Sequence, residues 1–466
     1  MNEAIIEKKS KELLKTIKEY RPDLDIKGKC FYVSRDGDDN NDGLSPETAW
    51  KTMAAVSDRK NLMADGDAVL FRAGDTFRGS IICREGITYS SYGEGEKPHL
   101  YAARENAAEL DWQATESENV YCVKLENKAD IGNIVFNHGE SWGYKRVIGQ
   151  DRLELEQTGD FYHDTEAGIV YLCCEEGNPS DCYRDIELCP RDYIFAGPMD
   201  NCTFDGLVMK YTGGHAIGTC SMNGTVFRGC TNMKVRGCEF EWIGGSIQYG
   251  TVRFGNAIEF WGGCDHHLVE KCYINQVYDA GITQQYCGKR DGRPVTVEDT
   301  VMRENLIDNC VYSYEYFLTE FDADPAKNNA KVDDTEFCFK NVYFEDNICR
   351  RAGYGFGSQR IDRHSPAHLK SWGHTNRSEN FVIRNNIFDR GEYRLIEILA
   401  VTDEDLPVRS GNIYCQYRNK DLVVTNGADG SNKTGRRASQ MTLEATRDGH
   451  AELCEDDAII AELPKR

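Results

Sequence analysis

Apolar residues along the middle of the chain recur in short segments that share one pattern. In each segment two apolar residues flank a fourth position that is Leu, Cys or Asn. The segments cover residues 204–209, 235–240, 269–274, 302–307, 344–349 and 383–388, so their starts lie 31, 34, 33, 42 and 39 residues apart. Repeats of about 20–50 residues built from short strands are typical of solenoids and propellers.

A parallel β-helix explains these repeats better than a propeller does. Each repeat supplies about three short strands and lacks the Trp-Asp or hairpin signature that antiparallel propeller blades carry. The fourth position suits a ladder of amides and thiols stacked inside the coils. It is occupied in order by Leu207, Cys238, Cys272, Asn305, Asn347 and Asn386. The sequence therefore predicts an all-β parallel β-helix whose loops leave the stack on the binding side.

The rest of the chain is predicted to flank this solenoid. Residues 1–28 form an N-terminal helix and cap, in which Leu13, Leu14 and Ile17 share one face of a helix that runs to about Tyr20. Residues 29–125 form the N-terminal part of the β-helix, 126–190 a small β insertion, and 191–424 the main coils. Residues 425–466 form a C-terminal cap or tail, with a cap or short helix near 456–463.

Residues 31–50, 66–71 and 74–77 carry a resemblance to a known family. They resemble the N-terminal part of pectate-lyase-like, right-handed parallel β-helix proteins that act on carbohydrates. The insertion is placed as in β-helix glycoside hydrolases of the β-xylosidase type. The resemblance implies a right-handed solenoid and a carbohydrate-active enzyme, with a glycoside hydrolase as the expected class.

The strand that follows each turn is expected to carry the chemistry, because the interior of a β-helix is filled by side chains. Period-2 alternation points one set of residues inward: Ile258, Ile282, Tyr314, Tyr354 and Ile396. It points their neighbours outward in one column: Glu259, Thr283, Glu315, Gly355 and Glu397. Adjacent strands are about 4.8 Å apart, so the backbones of Glu259 and Glu315 are expected roughly 9–10 Å apart.

Paired carboxylates are what glycosidic cleavage requires: a protonated acid for the leaving oxygen and an ionised base or nucleophile. Side-chain tilt would bring the carboxyl groups of Glu259 and Glu315 to about 6.5–9.5 Å apart, the separation found in inverting glycosidases. A retaining mechanism is also possible if Asp279 or Asp362 is the partner. Glu315 is the first choice, with Glu259, Asp279, Asp362 or Glu397 beside it. The alternative is that these are ordinary exposed residues of an acidic chain.

A polar loop, residues 357–372, is expected to overhang the same face. Its Arg360 would position substrate hydroxyls or a carboxylate, unless the loop is simply salt-bridged within itself. Aromatic rings near the column suit stacking of sugar rings. The residues predicted to bind substrate are Arg360, Gln284, Trp261, Tyr316 and His364.

Charge limits the classes of binding partner, and cysteine content indicates the cellular compartment. The chain has 55 Lys+Arg against 77 Asp+Glu, a formal charge of −22, which disfavours nucleic acids and polyanions. There is no apolar run of about 18 residues and no export signal at the N-terminus, so no membrane partner is expected. Nineteen cysteines, an odd number without a Cys-x-x-Cys pair, indicate reduced core thiols and a cytoplasmic protein.

Neither a cofactor nor a catalytic metal is expected. Asp36, Asp38 and Asp42 form an acidic loop that could hold a structural calcium ion, but such turns more often bond their own backbone. His364 and His368 are four residues apart, the spacing of two metal ligands on a helix, but the proline between them opposes a helix. Residues 265–267 are interpreted as a surface turn.

The sequence thus predicts a cytoplasmic β-helix glycoside hydrolase that acts on oligosaccharides. It makes no prediction of the oligomeric state. A polysaccharide lyase or epimerase is the first alternative, with Lys289, Arg290, Arg360 or Lys370 as base. A non-catalytic carbohydrate-binding solenoid is the second.

Overall fold

The computed structural model describes residues 3–146, 155–219, 229–287, 293–319, 336–360, 366–371, 376–425, 442–445, 455 and 457–464. Its α-helices are α1 Glu3–Glu19, α2 Met53–Asp58 and α3 Pro179–Cys182. Short 3-10 helices lie at Pro46–Thr48, Lys60–Leu62, Ala107–Glu109, Asn137–Gly139, Phe356–Gln359 and Asp403–Asp405.

The first face of the solenoid is a ten-stranded sheet in which every neighbouring pair is parallel. Its strands, in spatial order, are β1 Cys30–Val33, β2 Ala68–Arg72, β5 Thr88–Tyr92, β16 Thr203–Asp205, β19 Lys234–Arg236, β24 Leu268–Glu270, β26 Thr296–Arg303, β28 Cys338–Glu345, β31 Arg377–Arg384 and β34 Val408–Ser410. Spatial order follows chain order, so each coil stacks on the one before it.

The second face is a further parallel ladder. It comprises β3 Thr76–Arg78, β6 His99–Tyr101, β17 Val208–Thr212, β20 Glu239–Ile243, β25 Tyr273–Cys287, β27 Leu306–Thr319, β29 Ile348–Ala352, β32 Ile387–Gly391, β35 Ile413–Tyr417 and β38 Ile459–Leu463. Because β25 and β27 bend and continue onto the third face, the two ladders form one 18-stranded sheet.

The third face contains the C-terminal halves of β25 and β27. Its other strands are β4 Ile81–Ile82, β15 Phe195–Ala196, β18 Ile217–Gly218, β23 Ile258–Trp261, β30 Ala367–Lys370, β33 Ile396–Ile398, β36 Val423–Thr425 and β37 Thr442–Ala445. All of its pairings are parallel except the last, β36 with β37. The protein is thus a right-handed parallel β-helix with three faces, as the repeats predict.

Left-handed backbone corners separate the faces in successive coils. One corner has φ 54° at Asn232, a second has 53° at Lys271, and a third has 55° at Gln276. Glycine occupies the second corner in earlier coils, at Gly206 and Gly237, because it tolerates positive φ without strain. These short turns change the direction of the chain, so that consecutive strands lie on different faces of the solenoid.

The amide ladder predicted at the fourth repeat position is confirmed. The Asn305 side chain donates to Asn347 Oδ1 at 3.0 Å, Asn347 to Asn386 at 3.0 Å, and Asn386 to Asn412 at 3.0 Å. Each of these oxygens also accepts the backbone N–H of the preceding ladder residue. Glu455 ends the ladder by accepting from Asn412. The buried polar column is therefore satisfied from coil to coil.

The insertion consists of antiparallel sheets outside the solenoid. One joins β9 Ile131–Phe136, β10 Ser141–Trp142 and β14 Ile186–Pro190; the other joins β7 Gln113–Ala114, β8 Val120–Lys124, β11 Tyr144–Lys145, β12 Asp160–Asp164 and β13 Ile169–Cys173, with β11–β12 its parallel pair. A hairpin, β21 Ser246–Tyr249 with β22 Val252–Phe254, lies nearby in sequence. The predicted start at residue 126 is too late, because β8 pairs with β13 of the insertion and β7 pairs with β8, rather than with a coil.

The two ends of the chain both pack against the second face. Helix α1 buries Ile6 and Ile17 against Leu306, Ile348 and neighbouring apolar residues on the outside of that face, which confirms the predicted helix. Strand β38 extends the ladder beyond β35. Of the cap or short helix expected near 456–463, the helix is wrong, because residues 459–463 pair in parallel register with β35 as an outer strand. None of the helices among the described residues has the length and apolar character that crossing a membrane requires.

Candidate functional site

The outer column on the third face is present, with one change of membership. Register pairs Glu259 with Thr283, Thr283 with Glu315, Glu315 with Lys370, and Lys370 with Glu397. Their predecessors Ile258, Ile282, Tyr314, Leu369 and Ile396 are fully buried in the interior. The acids therefore share one column, as period-2 alternation predicts.

Gly355 and Tyr354 do not belong to this column, which corrects the prediction. Gly355 has φ 74° and caps the 3-10 helix Phe356–Gln359, so the chain turns there instead of extending. It reaches the third face only at β30, where Leu369 points inward and Lys370 outward. The segment between β29 and β30 is longer than the repeat suggests, so the third-face strand of this coil lies later in the sequence than predicted.

The column is buried, although the sequence suggests a solvent-facing row. Glu259 is 1%, Glu315 2% and Glu397 6% exposed. The 3-10 helix Phe356–Gln359 packs against β25 and β27 beside the column. Gln359 joins this helix to the insertion by donating to Gly143 O at 2.9 Å and accepting from Lys145 N at 3.3 Å.

Glu315 is buried in the middle of the column. Thr283, in the coil before it, donates its hydroxyl to Glu315 Oε2 at 3.1 Å. Burial raises the pKa of Glu315 well above its usual range, the carboxylate of Asp279 raises it further, and Arg360 opposes the shift. The surroundings of Glu315 therefore favour its protonated form.

Glu259 is held by amides instead of cations. Asn256 donates to Glu259 Oε2, and Gln285 donates to Oε1 at 3.0 Å. Burial raises the pKa of Glu259 to about 8, although these two hydrogen bonds oppose the shift. His215 lies 3.7 Å away through Nδ1, and burial lowers the pKa of this imidazole to about 3, so it stays neutral beside the acid.

Asp279 and Arg360 form a buried ion pair next to both glutamates. Asp279 lies at the bend of β25, where the register shifts between the second and third faces. Arg360 follows the 3-10 helix and donates to Asp279 Oδ1. The two side chains are 5% and 6% exposed, so Arg360 favours a charged Asp279 in a site that is shielded from water.

Glu397 is engaged differently. Lys370 donates to its Oε1, and Arg394 donates to its Oε2 at 2.9 Å. Burial lowers the pKa of Lys370, while the charge of Glu397 opposes the shift. Since both oxygens of Glu397 bind cations, it is better suited to holding Lys370 beside Glu315 than to transferring protons.

Two of the predicted substrate contacts lie inside the solenoid and are corrected. Gln284 donates to Thr300 Oγ1 at 2.9 Å and accepts from the Tyr314 hydroxyl at 3.0 Å. Tyr316 packs against Phe339 and is 3% exposed. Both follow an outward residue on their strand, so alternation places them inward.

Trp261 lies two residues beyond Glu259, on the outer side of β23. It is partly exposed, and its ring meets Tyr286 edge-on at 6.3 Å. It stays a candidate for stacking on a sugar ring. Asp362 and His364 lie outside the described residues, so their predicted roles stay predictions.

The acidic N-terminal loop bonds to itself and to the adjacent strand. Asp38 accepts from Asn40 N at 2.9 Å, Asp42 accepts from Leu44 N at 3.0 Å, and Asp36 pairs with Arg72 at 2.8 Å. These are the hydrogen-bonded turns that the sequence favours. A structural calcium ion there stays a prediction.

Residues that the sequence analysis missed complete the site. His215 and Gln285 contact Glu259, Asn256 orients it and also accepts Ala280 N at 2.8 Å, and Arg394 pairs with Glu397. Gln285 is the register neighbour of Trp261, a signal that was available from strand alignment. The others come from turns, whose positions the repeat does not determine.

Comparison with known proteins gives matches among solved structures alone. No protein-family profile and no curated protein match the chain. XylC in complex with xylose is 11% identical with a TM-score of 0.49, covering 84% of this chain and 69% of that one. A GH136 lacto-N-biosidase from Eubacterium ramulus is 11% identical with a TM-score of 0.35, covering 94% and 68%.

Lyases are among the matched structures too. Pectate lyase Pel9A is 10% identical with a TM-score of 0.41, covering 88% of this chain and 73% of that one. At such identities and TM-scores the likeness concerns the fold alone, and the strand order described above establishes that fold independently.

Proposed function

We propose that the protein is a glycoside hydrolase that cleaves oligosaccharides with acids of the third-face column. The observation that carries the proposal is the pair Glu259 and Glu315, in register two coils apart, with Asp279 interacting with both and its partner Arg360 with Glu315. Strand spacing puts the two glutamate backbones roughly 9–10 Å apart. Glu315 therefore has two acidic neighbours, Glu259 and Asp279, so that one group can hold a proton while another is ionised.

Glu315 is assigned the general acid. Its raised pKa favours the protonated form, which can give its proton to the leaving glycosidic oxygen. The hydroxyl of Thr283 fixes its carboxyl group, so the proton is presented from one position.

Asp279 is assigned the ionised base or nucleophile. Arg360 favours its negative charge, whereas Glu259, with a pKa of about 8, is protonated at neutral pH. Glu259 is thereby left to hydrogen-bond a substrate hydroxyl. Placing a charged acid next to protonated ones separates the two roles that hydrolysis requires.

The product of the reaction tests this proposal directly. A panel of aryl glycosides and oligosaccharides would be incubated with the protein, and the anomer first released would be identified by NMR. We expect a free reducing sugar, lost in Glu315→Gln and kept in Glu187→Gln. Glu187 is the matched control because it is also buried, with a pKa raised to about 7, but it lies in the insertion and pairs with Arg78 of β3. Binding without any product would favour a non-catalytic solenoid.

A lyase is the second candidate, and Lys370 is the observation that favours it. This buried amine, whose pKa is lowered, stands next to Glu315 in the column and could remove a proton beside a uronate carboxylate. An unsaturated, ultraviolet-absorbing product from uronate oligosaccharides, lost in Lys370→Met, would establish it and contradict hydrolysis.

We also propose a reducing compartment, the cytoplasm, as the site of action. The supporting observation is that the cysteines among the described residues are free thiols, most of them buried. A thiol count on denatured protein purified without reductant checks this: all nineteen cysteines should react.

A further inference from the structure

A second cluster of reactive side chains lies on the inner side of the solenoid, away from the acid column. Two successive coils each carry a sulfur residue followed three positions later by a second soft ligand: Cys230 with Met233, and Cys264 with His267. A parallel bridge between Thr231 and Asp265 aligns the two segments. Cys230 N donates to Cys264 Sγ at 3.1 Å and Met233 N to His267 Nδ1 at 3.2 Å, so the ligands stack pairwise.

The distances suit a single ion. The Sγ atoms of Cys230 and Cys264 are 3.6 Å apart, and one ligand atom from each of Cys230, Cys264 and His267 lies within 4.8 Å of the others. Two sulfurs about 2.3 Å from a tetrahedral zinc ion would be about 3.8 Å apart. The Met233 sulfur, 3.0 Å from Cys230 Sγ, is a further donor within reach.

The surroundings leave the cluster closed and rigid. Cys230, Cys264 and His267 are 4%, 0% and 2% exposed. The His267 ring stacks on Phe260 at 4.1 Å with an interplanar angle of 3°. Within the described part of the chain, His267 Nε2 has no hydrogen-bond partner, so the imidazole is not fully satisfied by the protein.

We propose that Cys230, Cys264 and His267 bind a thiophilic divalent cation, Zn²⁺, that ties two successive coils together. Two thiolates and an imidazole are a typical zinc ligand set, and two thiolates neutralise the charge of the ion in an apolar interior. Cys264 Sγ lies 2.8 Å from Trp261 O, where the thiol form donates, so binding releases this proton. The ion would fix the end of β23, the strand that carries Glu259.

Metal content and a cobalt spectrum test the site without any assay of activity. Full-length protein produced with added Zn²⁺ and passed through a weak chelator should retain about one zinc per chain. Replacement of zinc by Co²⁺ should give a thiolate-to-cobalt charge-transfer band in the near ultraviolet, together with the visible bands of a tetrahedral ion. The wild-type spectrum reports ligation directly, so it holds even if a variant fails to fold.

Variants locate the ligands. Cys264→Ser and His267→Gln should lose or weaken the zinc and shift the cobalt spectrum, whereas Cys238→Ser should keep both. Cys238 is the matched control, a fully buried thiol in the same coil as Cys230 that contacts backbone carbonyls. Three results would overturn the proposal: no thiolate band with Co²⁺, zinc content unchanged in Cys264→Ser, or a denatured thiol count two below nineteen, which would indicate a Cys230–Cys264 disulfide.

Discussion

Two columns of polar side chains run along the same solenoid, and they differ in how burial is compensated. The ladder from Asn305 to Asn412 is neutral, and each amide donates to the next coil while its oxygen accepts a backbone N–H. The third-face column alternates acids with Thr283 and Lys370, and its acids depend on partners from turns and loops. Both columns have the same strand-to-strand spacing.

The difference separates stability from chemistry. A neutral amide loses little on burial once its hydrogen bonds are made, so the ladder stabilises the stack. Burial instead disfavours the ionised form of a carboxyl group, so the group keeps its proton. A general acid needs such a proton to donate. One repeat position of the solenoid thus stabilises the stack of coils, and another carries the acids proposed for catalysis.

Asp279→Asn should produce the largest effect, a fall in turnover of about 10²–10⁴-fold, because an amide cannot act as base or nucleophile. Initial rates on the best glycoside measure it. Addition of azide to Asp279→Ala should restore part of the rate and give a glycosyl azide, whose anomer reports the stereochemistry. Undiminished turnover of Asp279→Asn would assign the role to another acid of the column.

Lys370→Met should destabilise the protein by about 3–5 kcal/mol, because it leaves Glu397 buried with one cation removed. Denaturant unfolding measures the change. The double variant Lys370→Met with Glu397→Leu removes both members of the pair and should recover much of the loss. Equal destabilisation by the single and double variants would show that the ion pair is not what matters at this position.

Asn347→Ala tests the neutral column. It removes the partner of Asn305 and leaves Met302 O without its amide donor, so we expect a loss on the order of 3 kcal/mol in the free energy of unfolding. Asn40→Ala, an exposed amide in the N-terminal loop, should change stability by less than about 0.5 kcal/mol. Similar effects of the two variants would mean that the ladder does not stabilise the stack.

The sequence predicts the ladder and the column because both follow from the repeat length and from alternation. It fails at Gly355, since the number of residues between β29 and β30 is not periodic. It also fails at Gln284 and Tyr316, where polar character suggested an outer position but the strand alternation, applied strictly, points inward. The surroundings of Glu259 and Glu315 depend on Asn256, in the irregular turn before β23, and on Arg360 and the insertion, which come from distant parts of the chain.

The last prediction concerns how stability depends on pH in Glu259→Gln. Glu259 has a pKa of about 8 in the folded protein, against an ordinary value of 4.5 for glutamate, so between these values the folded state binds a proton that the unfolded state has lost. Its contribution to stability is complete below about pH 4.5 and is lost as pH rises through 8. The wild type should therefore lose stability over this range more steeply than Glu259→Gln, measured as Tm against pH. Glu12→Gln, on the exposed side of α1, should follow the wild-type curve. Parallel curves for the wild type and Glu259→Gln would mean that Glu259 is ionised in the folded protein, and the column would then hold two charged acids near Glu315 instead of one.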